Sequence, residues 1–384
     1  MSATLPKDTA VVMLAKVPWN FTWQSDHKIA TGLAKRGYAV TFVQPLPKRM
    51  PAASEAAFAL AHWLNRPEVA GYRHQPRPPS VDLVSPMVFP DINRAFKYAN
   101  RVALVPRLTR HLRHLGMGRK QTVVITYLPF PLPMAVARAL APDLLVYASF
   151  ANWASASLAT RRKMVEEELF AAADLVLANS PLLVERARRQ HSRVYRWPGT
   201  VDFERFHAVA QVVNRPAAER PVRTCYYGAV GAHIDVELLA KVSHHTALRI
   251  LGPVLVPMIA LAPGSELPGM VPYPQVAENL KDVDVLLLPY RVSELTEGLF
   301  PAKIFECFAT GKPIVSTYLP SLLPYGRLVY ISRTHEEFVE NIGRAIDEPQ
   351  ELGEQRIQVA RENTTDRWME TLSNWLLTAL AEKG

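Results

Sequence analysis

Short runs of Val, Leu and Ile alternate with helix-length segments along the whole chain, and the alternation is laid down twice. Val11–Ala15, Val40–Val43, Val123–Thr126, Leu144–Tyr147 and Leu175–Ala178 are four or five residues each and apolar on both faces. That pattern suits strands buried on both sides of a parallel sheet. Between them lie helix-length segments at His27–Lys35, Pro131–Leu140, Thr160–Ala172 and Pro181–Gln190, with Ser180 placed to cap the last. Strand, helix and strand repeated in this way predict a doubly wound α/β layer. The rhythm restarts after a Pro- and Ala-containing break at Asn214–Pro221. Thr224–Tyr227, Leu248–Leu251, Val285–Leu288 and Pro313–Ser316 then read as strands. Asp235–Lys241, Val276–Asp282, Pro301–Ala309 and His335–Asp347 read as helices.

A chain of 384 residues exceeds one ordinary core and suits two domains. The expected edges are 1–205 for the first doubly wound domain and 216–362 for the second. A closing segment, 363–384, carries Trp368, Leu372, Trp375, Leu376 and Ala379 at helical spacing and is expected to return to the first domain. Doubly wound domains bind ligands at the C-terminal ends of their strands, so the two are expected to face one cleft.

The two cysteines, Cys225 and Cys307, lie far apart in sequence, which argues against a disulfide framework or a zinc site and fits a reducing cytoplasm. The opening apolar run reads as a first strand and not a signal peptide, and no apolar stretch approaches the ~20 residues of a membrane span. The net charge of +9 is uneven. From Asn93 to Lys120 there are eight Lys and Arg and no acidic residue, interleaved with Phe96, Tyr98, Val102, Leu104, Leu108 and Leu112. Such a segment is either an interfacial helix on an anionic membrane surface or a solvated helix covering the sheet. Pro106 is expected to kink or divide it. No nucleic-acid motif accompanies the charge, so nucleic acid is not an expected partner.

Chemistry concentrates in Leu286–Thr317, LLLPYRVSELTEGLFPAKIFECFATGKPIVST. A buried strand ends at Pro289-Tyr290, a polar loop runs through Glu297, and a helix is expected from Pro301. A helix N-terminus suits a diphosphate, and Lys303 adds a full positive charge beside it. Glu306 lies on the same face, where its carboxylate can accept from ribose hydroxyls. An ordinary solvated helix face is the plain alternative. Upstream, CYYGAVGAHIDVELL places Gly228 and Gly231 between a strand and a helix, so that Gly228, Ala229 and Val230 can approach phosphates closely.

PAKIFECFATGKPIVST resembles the donor-site segment of bacterial GT-B glycosyltransferases of the teichuronic-acid and exopolysaccharide type. It is similar also to the xanthan-pathway glucuronosyltransferase. CYYGAVGAHIDVELL, DLVLANSPLLVERA with RWPGTVDFERF, and VPWNFTWQSDHKIATGLAKRGYAVTFV match in the same order, with residues 50–120 least matched. The resemblance implies a GT-B fold, Lys303 with Ala302 on the diphosphate, Glu306 on the ribose and Tyr290 near the nucleotide. A broader pattern of two glutamates eight residues apart is broken here, since position 298 is Gly and the nearest glutamate is Glu297.

On the acceptor side, His27 opens the first helix where the glucuronosyltransferase carries a His, and Asp26 stands beside it. Either can serve as a base, and either can be structural. Trp19, Phe21 and Trp23 can stack on a sugar or pack in the core. The glucuronosyltransferase's catalytic Asp corresponds here to Ala151, and no carboxylate follows until Glu166. Asn152, Trp153 and Ser155 then line the expected cleft. Taken together, the expectation is a metal-independent glycosyltransferase of exopolysaccharide or cell-surface biosynthesis. It uses a nucleotide-sugar donor, UDP-sugar foremost, without a cofactor, and a glycan or lipid-linked acceptor. Its expected place is cytoplasmic or peripheral on the inner face of the membrane. The alternative is a non-catalytic GT-B scaffold that binds nucleotide or glycan.

Overall fold

The computed structural model describes Pro6 and residues 8–50, 75–153, 160–210 (backbone alone for 160–163) and 220–383. Residues 214–219 of the expected break and Ser155 lie outside these. The chain divides into two compact units, Met1–Trp197 with Trp368–Gly384, and Pro198–Arg367. The division precedes residue 205 because the helix Phe203–Ala210 packs on the helices Ile304–Ala309 and Gln350–Glu362 of the second unit.

The first unit is built on seven parallel strands: β1 (Thr9–Leu14), β2 (Ala39–Val43), β3 (Val81–Val84), β4 (Gln121–Thr126), β5 (Leu144–Ser149), β6 (Leu175–Ala178) and β7 (Val194–Arg196). Their order in the sheet is β3-β2-β1-β4-β5-β6-β7. β1 shows why both faces need cover. Val11 and Met13 point into a core shared with Ile29 and Leu33 of the helix Ser25–Lys35, while Val12 and Leu14 point into one shared with Leu108, Leu112 and Val136. The first of these cores is closed by the last helix, Thr365–Ala381, through Met369, Leu372 and Leu376. Contact there is tight, since a Cβ on Gly32 would lie 2.4 Å from Met369 Cγ. Trp368–Gly384 of the closing segment groups with the first unit.

The basic segment folds as one continuous helical stretch with a defect. Arg94–Ala99 is α-helical, Asn100–Leu104 winds as a π-turn and Val105–Leu115 is α-helical again. Pro106 lacks an N–H and its ring would crowd the carbonyl four residues earlier, within the π-turn. The widened turn absorbs the proline, so the helix is interrupted but not divided.

The second unit holds six parallel strands, β8 (Arg223–Tyr227), β9 (Ala247–Leu251), β10 (Glu266–Gly269), β11 (Val285–Leu288), β12 (Ile314–Thr317) and β13 (Tyr330–Ser332), in the order β10-β9-β8-β11-β12-β13. The chain winds one way from β8 to β10 and then crosses to β11 on the other side of β8. Ligands bind at such a reversal, beyond the C-terminal strand ends. Two expected helices are shorter than their apolar spacing suggests. Val276–Asp282 is replaced by Tyr273–Val276 and the 3₁₀ turn Glu278–Leu280, and the helix expected from Pro301 begins at Ile304.

Because Leu376 is fully buried in the first unit's core, Leu376→Ala is expected to lower unfolding stability by about 2–5 kcal/mol. Urea unfolding followed by circular dichroism measures it, and an unchanged midpoint would show that the last helix does not complete that core.

Candidate functional site

At the C-terminal edge of the second sheet two glycines hold one loop. Gly228, directly after β8, has φ 135°, and Gly252, directly after β9, has φ 154°. Both values are readily open only to glycine. The two backbones touch: a Cβ on Gly252 would lie 2.0 Å from the Gly228 carbonyl oxygen. Past this crossing the chains stay paired. Gly228 N donates to Leu251 O at 2.8 Å, Val230 N to Pro253 O at 2.9 Å and Leu255 N to Val230 O at 2.9 Å. Gly228, Ala229 and Val230 therefore form a braced ledge rather than a loose turn.

Lys303 reaches this ledge from the far side of β11. Its ammonium donates to the Tyr227 carbonyl and sits 4.3 Å from the Tyr226 ring centroid and 4.9 Å from that of Tyr227. Aromatic faces attract such a cation and fix its stem. A Cβ on Gly228 would come within 2.4 Å of Lys303 Nζ, so the dihedral requires glycine there and a larger residue would displace the ammonium from its seat. The expected helix start at Pro301 is instead a turn, in which Ile304 N donates to Pro301 O at 3.1 Å. Lys303 stands at the N-cap of a six-residue helix. With so few aligned peptides, the positive charge at this spot is chiefly the lysine's own.

Glu306, expected on the ribose, lies beneath the surface at 3% exposure. Its Oε1 accepts from Tyr273 Oη at 2.9 Å and its Oε2 from Tyr227 Oη at 3.3 Å. Burial pushes both phenols up from their ordinary value, and the Glu306 charge pushes them further, so both stay protonated and donate. In this arrangement Glu306 ties the Lys303 segment to β8 from below. Tyr290 is buried after β11, its carbonyl accepting from Thr317 Oγ1 at 2.7 Å and its backbone bridging Ile234 in the ledge loop. Ala302 is half-buried beside Lys303, its carbonyl facing Gly199. Glu297 is exposed on the single turn Glu294–Glu297, which Ser293 and Thr296 cap reciprocally.

In the first unit Asp26 and His27 are both fully buried. His27 Nδ1 accepts from Gln24 N at 3.2 Å, so Nε2 carries the proton and faces the carbonyls of Pro18 at 3.2 Å and Trp19 at 3.1 Å. The ring stacks on Trp23 at 4.7 Å. With both nitrogens taken by backbone groups, His27 braces the loop after β1. Asp26 Oδ2 accepts from the amides of Lys16 and Val17 at 3.3 and 3.4 Å. Burial opposes its charge, but the Lys16 ammonium and the Lys16 amide help to hold the carboxyl below its usual value. Asp26 is thus ionised, and its Oδ1 lies 3.4 Å from His27 Nδ1.

Trp19, expected on the acceptor side, is fully buried against Phe42 at 5.0 Å and Trp23 at 5.5 Å and belongs to the core. Its neighbours Phe21 and Trp23 are the half-buried aromatics of that loop. Asn152 and Trp153 are half-buried in the turn after β5, Trp153 meeting Phe130 at 5.7 Å. Glu166, the next carboxylate after Ala151, is buried and bound to Tyr147 Oη at 2.8 Å and to Arg186, which makes it a structural ion pair.

No family model matches the sequence. A 47-residue stretch is 40% identical to TuaH of Bacillus subtilis (strain 168), assigned to teichuronic acid biosynthesis as a glycosyltransferase; it spans 12% of this chain and 12% of that protein. Whole-chain similarity is structural. Sucrose-phosphate synthase from Thermosynechococcus elongatus superposes with a TM-score of 0.66 over 97% of this chain and 99% of that one, at 13% identity. Anabaena HepE in complex with UDP and glucose gives 0.65 over 96% and 99%, at 11% identity. WaaG, a glycosyltransferase involved in lipopolysaccharide biosynthesis, gives 0.59 over 95% and 98%, at 12% identity. The chain has the GT-B glycosyltransferase fold.

Within this GT-B chain the ledge holds two groups that sequence reasoning passed over. Gly252 carries no motif, because its need for glycine comes from a backbone 24 residues earlier (252 against 228). His233 follows the ledge, its ring stacked on Tyr290 at 6.0 Å. Burial and the Lys303 charge push its pKa down to about 4. The cue available in the sequence was its position between Gly231 and the helix cap Asp235. Among the described residues no helix is long and apolar enough to cross a membrane, and no cluster of three or more His, Cys, Asp or Glu is placed to hold a metal ion.

The first unit's basic helix presents exposed Arg94, Arg101, Arg107, Arg110 and Arg113. Beside them Met87, Phe89, Ile92, Tyr98 and Val102 are 42–61% exposed. Asn100 pins the Phe89 loop to this helix, donating to Phe89 O at 2.7 Å and accepting from Phe89 N at 3.0 Å.

The glycine crossing yields a sharp expectation. Gly252→Ala forces a methyl into the Gly228 carbonyl at an unfavourable φ, and is expected to destabilise the second unit by about 3 kcal/mol or more. Thermal unfolding measures this, and a transition unchanged from wild type would show that the ledge does not depend on the crossing.

Proposed function

We propose that this GT-B chain is a glycosyltransferase that moves a sugar from a nucleotide-diphosphate donor, UDP-sugar foremost, to a glycan or lipid-linked acceptor. The observation that carries the reading is the Lys303 ammonium seated on the Gly228 ledge, at the strand ends where doubly wound sheets bind nucleotides. The structural neighbours support it, one of them holding UDP and glucose. In sugar transfer the bond from the sugar C1 to the diphosphate oxygen breaks, and negative charge develops on the leaving diphosphate. Lys303 is pre-placed to stabilise that charge. No cofactor is needed, because the donor itself supplies the leaving group. Teichuronic acid synthesis in the short-stretch relative supports an acceptor of the cell-surface type.

The basic and apolar face of the helix 94–115 supports a membrane-surface location for this reaction, with lipid-linked acceptor at hand. Asp26, held ionised beside His27, is the candidate base of the first unit. A second reading, a nucleotide-binding scaffold without turnover, is favoured by Ala151 alone, where the similar glucuronosyltransferase carries its carboxylate. Donor binding with neither transfer nor donor hydrolysis would select the scaffold.

Lys303→Ala is expected to weaken nucleotide-sugar binding by about 1.5–3 kcal/mol, the scale of a charged hydrogen bond. Calorimetry with UDP-, GDP-, ADP- and dTDP-glucose measures it, and wild-type protein that binds none of the four would end the glycosyltransferase reading. Co-sedimentation with liposomes is expected to show binding to anionic vesicles that neutral vesicles do not support. Reversing Arg94, Arg101 and Arg107 to Glu should abolish it; equal binding to both vesicle types would remove the membrane role.

A further inference from the structure

His233 lies in the loop that runs from the ledge to the helix Val236–Ser243, on the same side of β8 as the end of β11. Its carbonyl accepts from Arg291 N at 2.9 Å, and its ring rests on Gly231, where a Cβ would meet it at 3.2 Å. Lys303 occupies the start of the ledge at Gly228, and His233 stands after its end. The two cation-capable side chains thus bracket the backbone from Gly228 to Gly231. Among the described residues no carboxylate is paired with His233. The nearest acid along the chain, Asp235, is turned to His335 Nε2 at 2.9 Å and to the amide of Leu238. The groups that face it are the Lys303 ammonium and the Tyr290 phenol, with the Arg291 guanidinium exposed alongside.

We propose that His233 is a second phosphate-binding group of the donor site and that it takes up a proton from solvent when a nucleotide diphosphate binds. The inference rests on the donor reading above and adds its proton linkage. Without ligand, burial and the Lys303 charge keep the imidazole neutral, with its pKa pushed down to about 4. A diphosphate on the ledge brings two negative charges beside the imidazole, which offset the Lys303 charge and oppose the effect of burial by favouring the protonated form. The imidazole gains a proton from water and donates to a phosphate oxygen, while Lys303 keeps its own charge. Linkage then sets the sign. A group protonated only in the complex makes binding tighter as pH falls through its bound pKa, and the gain ends below the free value.

UDP-glucose is the probe of choice because its diphosphate is esterified at both ends and lacks the terminal phosphate ionisation near about 6. Calorimetry in two buffers of different ionisation enthalpy, at about pH 5.5, is expected to show net uptake approaching one proton per ligand. The dissociation constant should tighten by up to about tenfold per pH unit between about pH 7 and 5. His233→Gln, which keeps a donor but cannot titrate, should bind with no uptake and a flat pH profile. UDP-glucose that binds wild type without proton uptake, or a His233→Gln protein with undiminished uptake, overturns the inference and leaves the donor reading standing. Failure of all four glucose nucleotides to bind removes both.

Discussion

A parallel strand pair cannot be closed by a hairpin, so successive strands of each sheet must be joined by crossover connections. That constraint organises the rest of the molecule. It makes the central strands apolar on both sides, as β1 shows with Val11 and Met13 on one face and Val12 and Leu14 on the other. It also leaves all strands of a sheet pointing one way, so that the loops at their C-terminal ends collect on one edge. The ledge after β8, the turn after β11 and the segment before Lys303 meet there for topological reasons before any side chain is chosen. Once they meet, backbone crowding decides the residues. Gly228 and Gly252 are required where two loops leaving adjacent strands cross, and the gap left by an absent Cβ is filled by the lysine ammonium.

How much of this could be read beforehand follows from the same physics. The central strands β1, β2, β4, β5 and β6 of the first unit and β8, β9, β11 and β12 of the second were legible as apolar runs, because burial on both faces leaves no place for polar residues. The four strands that were not legible, β3, β7, β10 and β13, are the outermost strand at each end of each sheet. They are three or four residues long and include Asp82, Arg196 and Glu266. An edge strand has one partner and partial cover, so its composition approaches that of a loop. The helix Pro301–Ala309 was misjudged at its start for a related reason. Apolar spacing reports which residues are buried, and Pro301 and Ile304 are buried by a turn as readily as by a helix.

The site divides in the same way. Lys303 and Gly228 could be found because a lysine beside a strand end and a glycine after a strand each have a local reason. Gly252 and the Tyr227–Glu306–Tyr273 brace have none, since their reasons lie in partners 24, 79 and 33 residues away (252 to 228, 227 to 306, 273 to 306). His27 and Trp19 show the opposite failure. A histidine at a helix start looks available as a base, yet its availability depends on where the ring nitrogens are bonded. Here Gln24, Pro18 and Trp19 take both. Sequence places a titratable group near a site; only the fold shows whether its polar atoms are already spent.

The resting contacts of Lys303 bear on how well it can serve a diphosphate. A lysine side chain free in solvent carries about 2 kcal/mol of rotamer entropy that binding must remove. Here the stem is already confined between two tyrosine rings, with its ammonium on a carbonyl. The ordering is therefore completed when the protein folds, and a ligand meets a cation that has little left to lose. In the proposed donor site, exchange of the carbonyl for a phosphate would replace a neutral acceptor with a charged one, and charged hydrogen bonds are roughly twice as strong. The two oxygens of Glu306 accept from Tyr227 and Tyr273 beneath the ledge, so the carboxylate supports the segment that carries Lys303. The same brace explains why both phenols must stay protonated: an ionised tyrosine beside Glu306 would repel it and release the segment that carries Lys303.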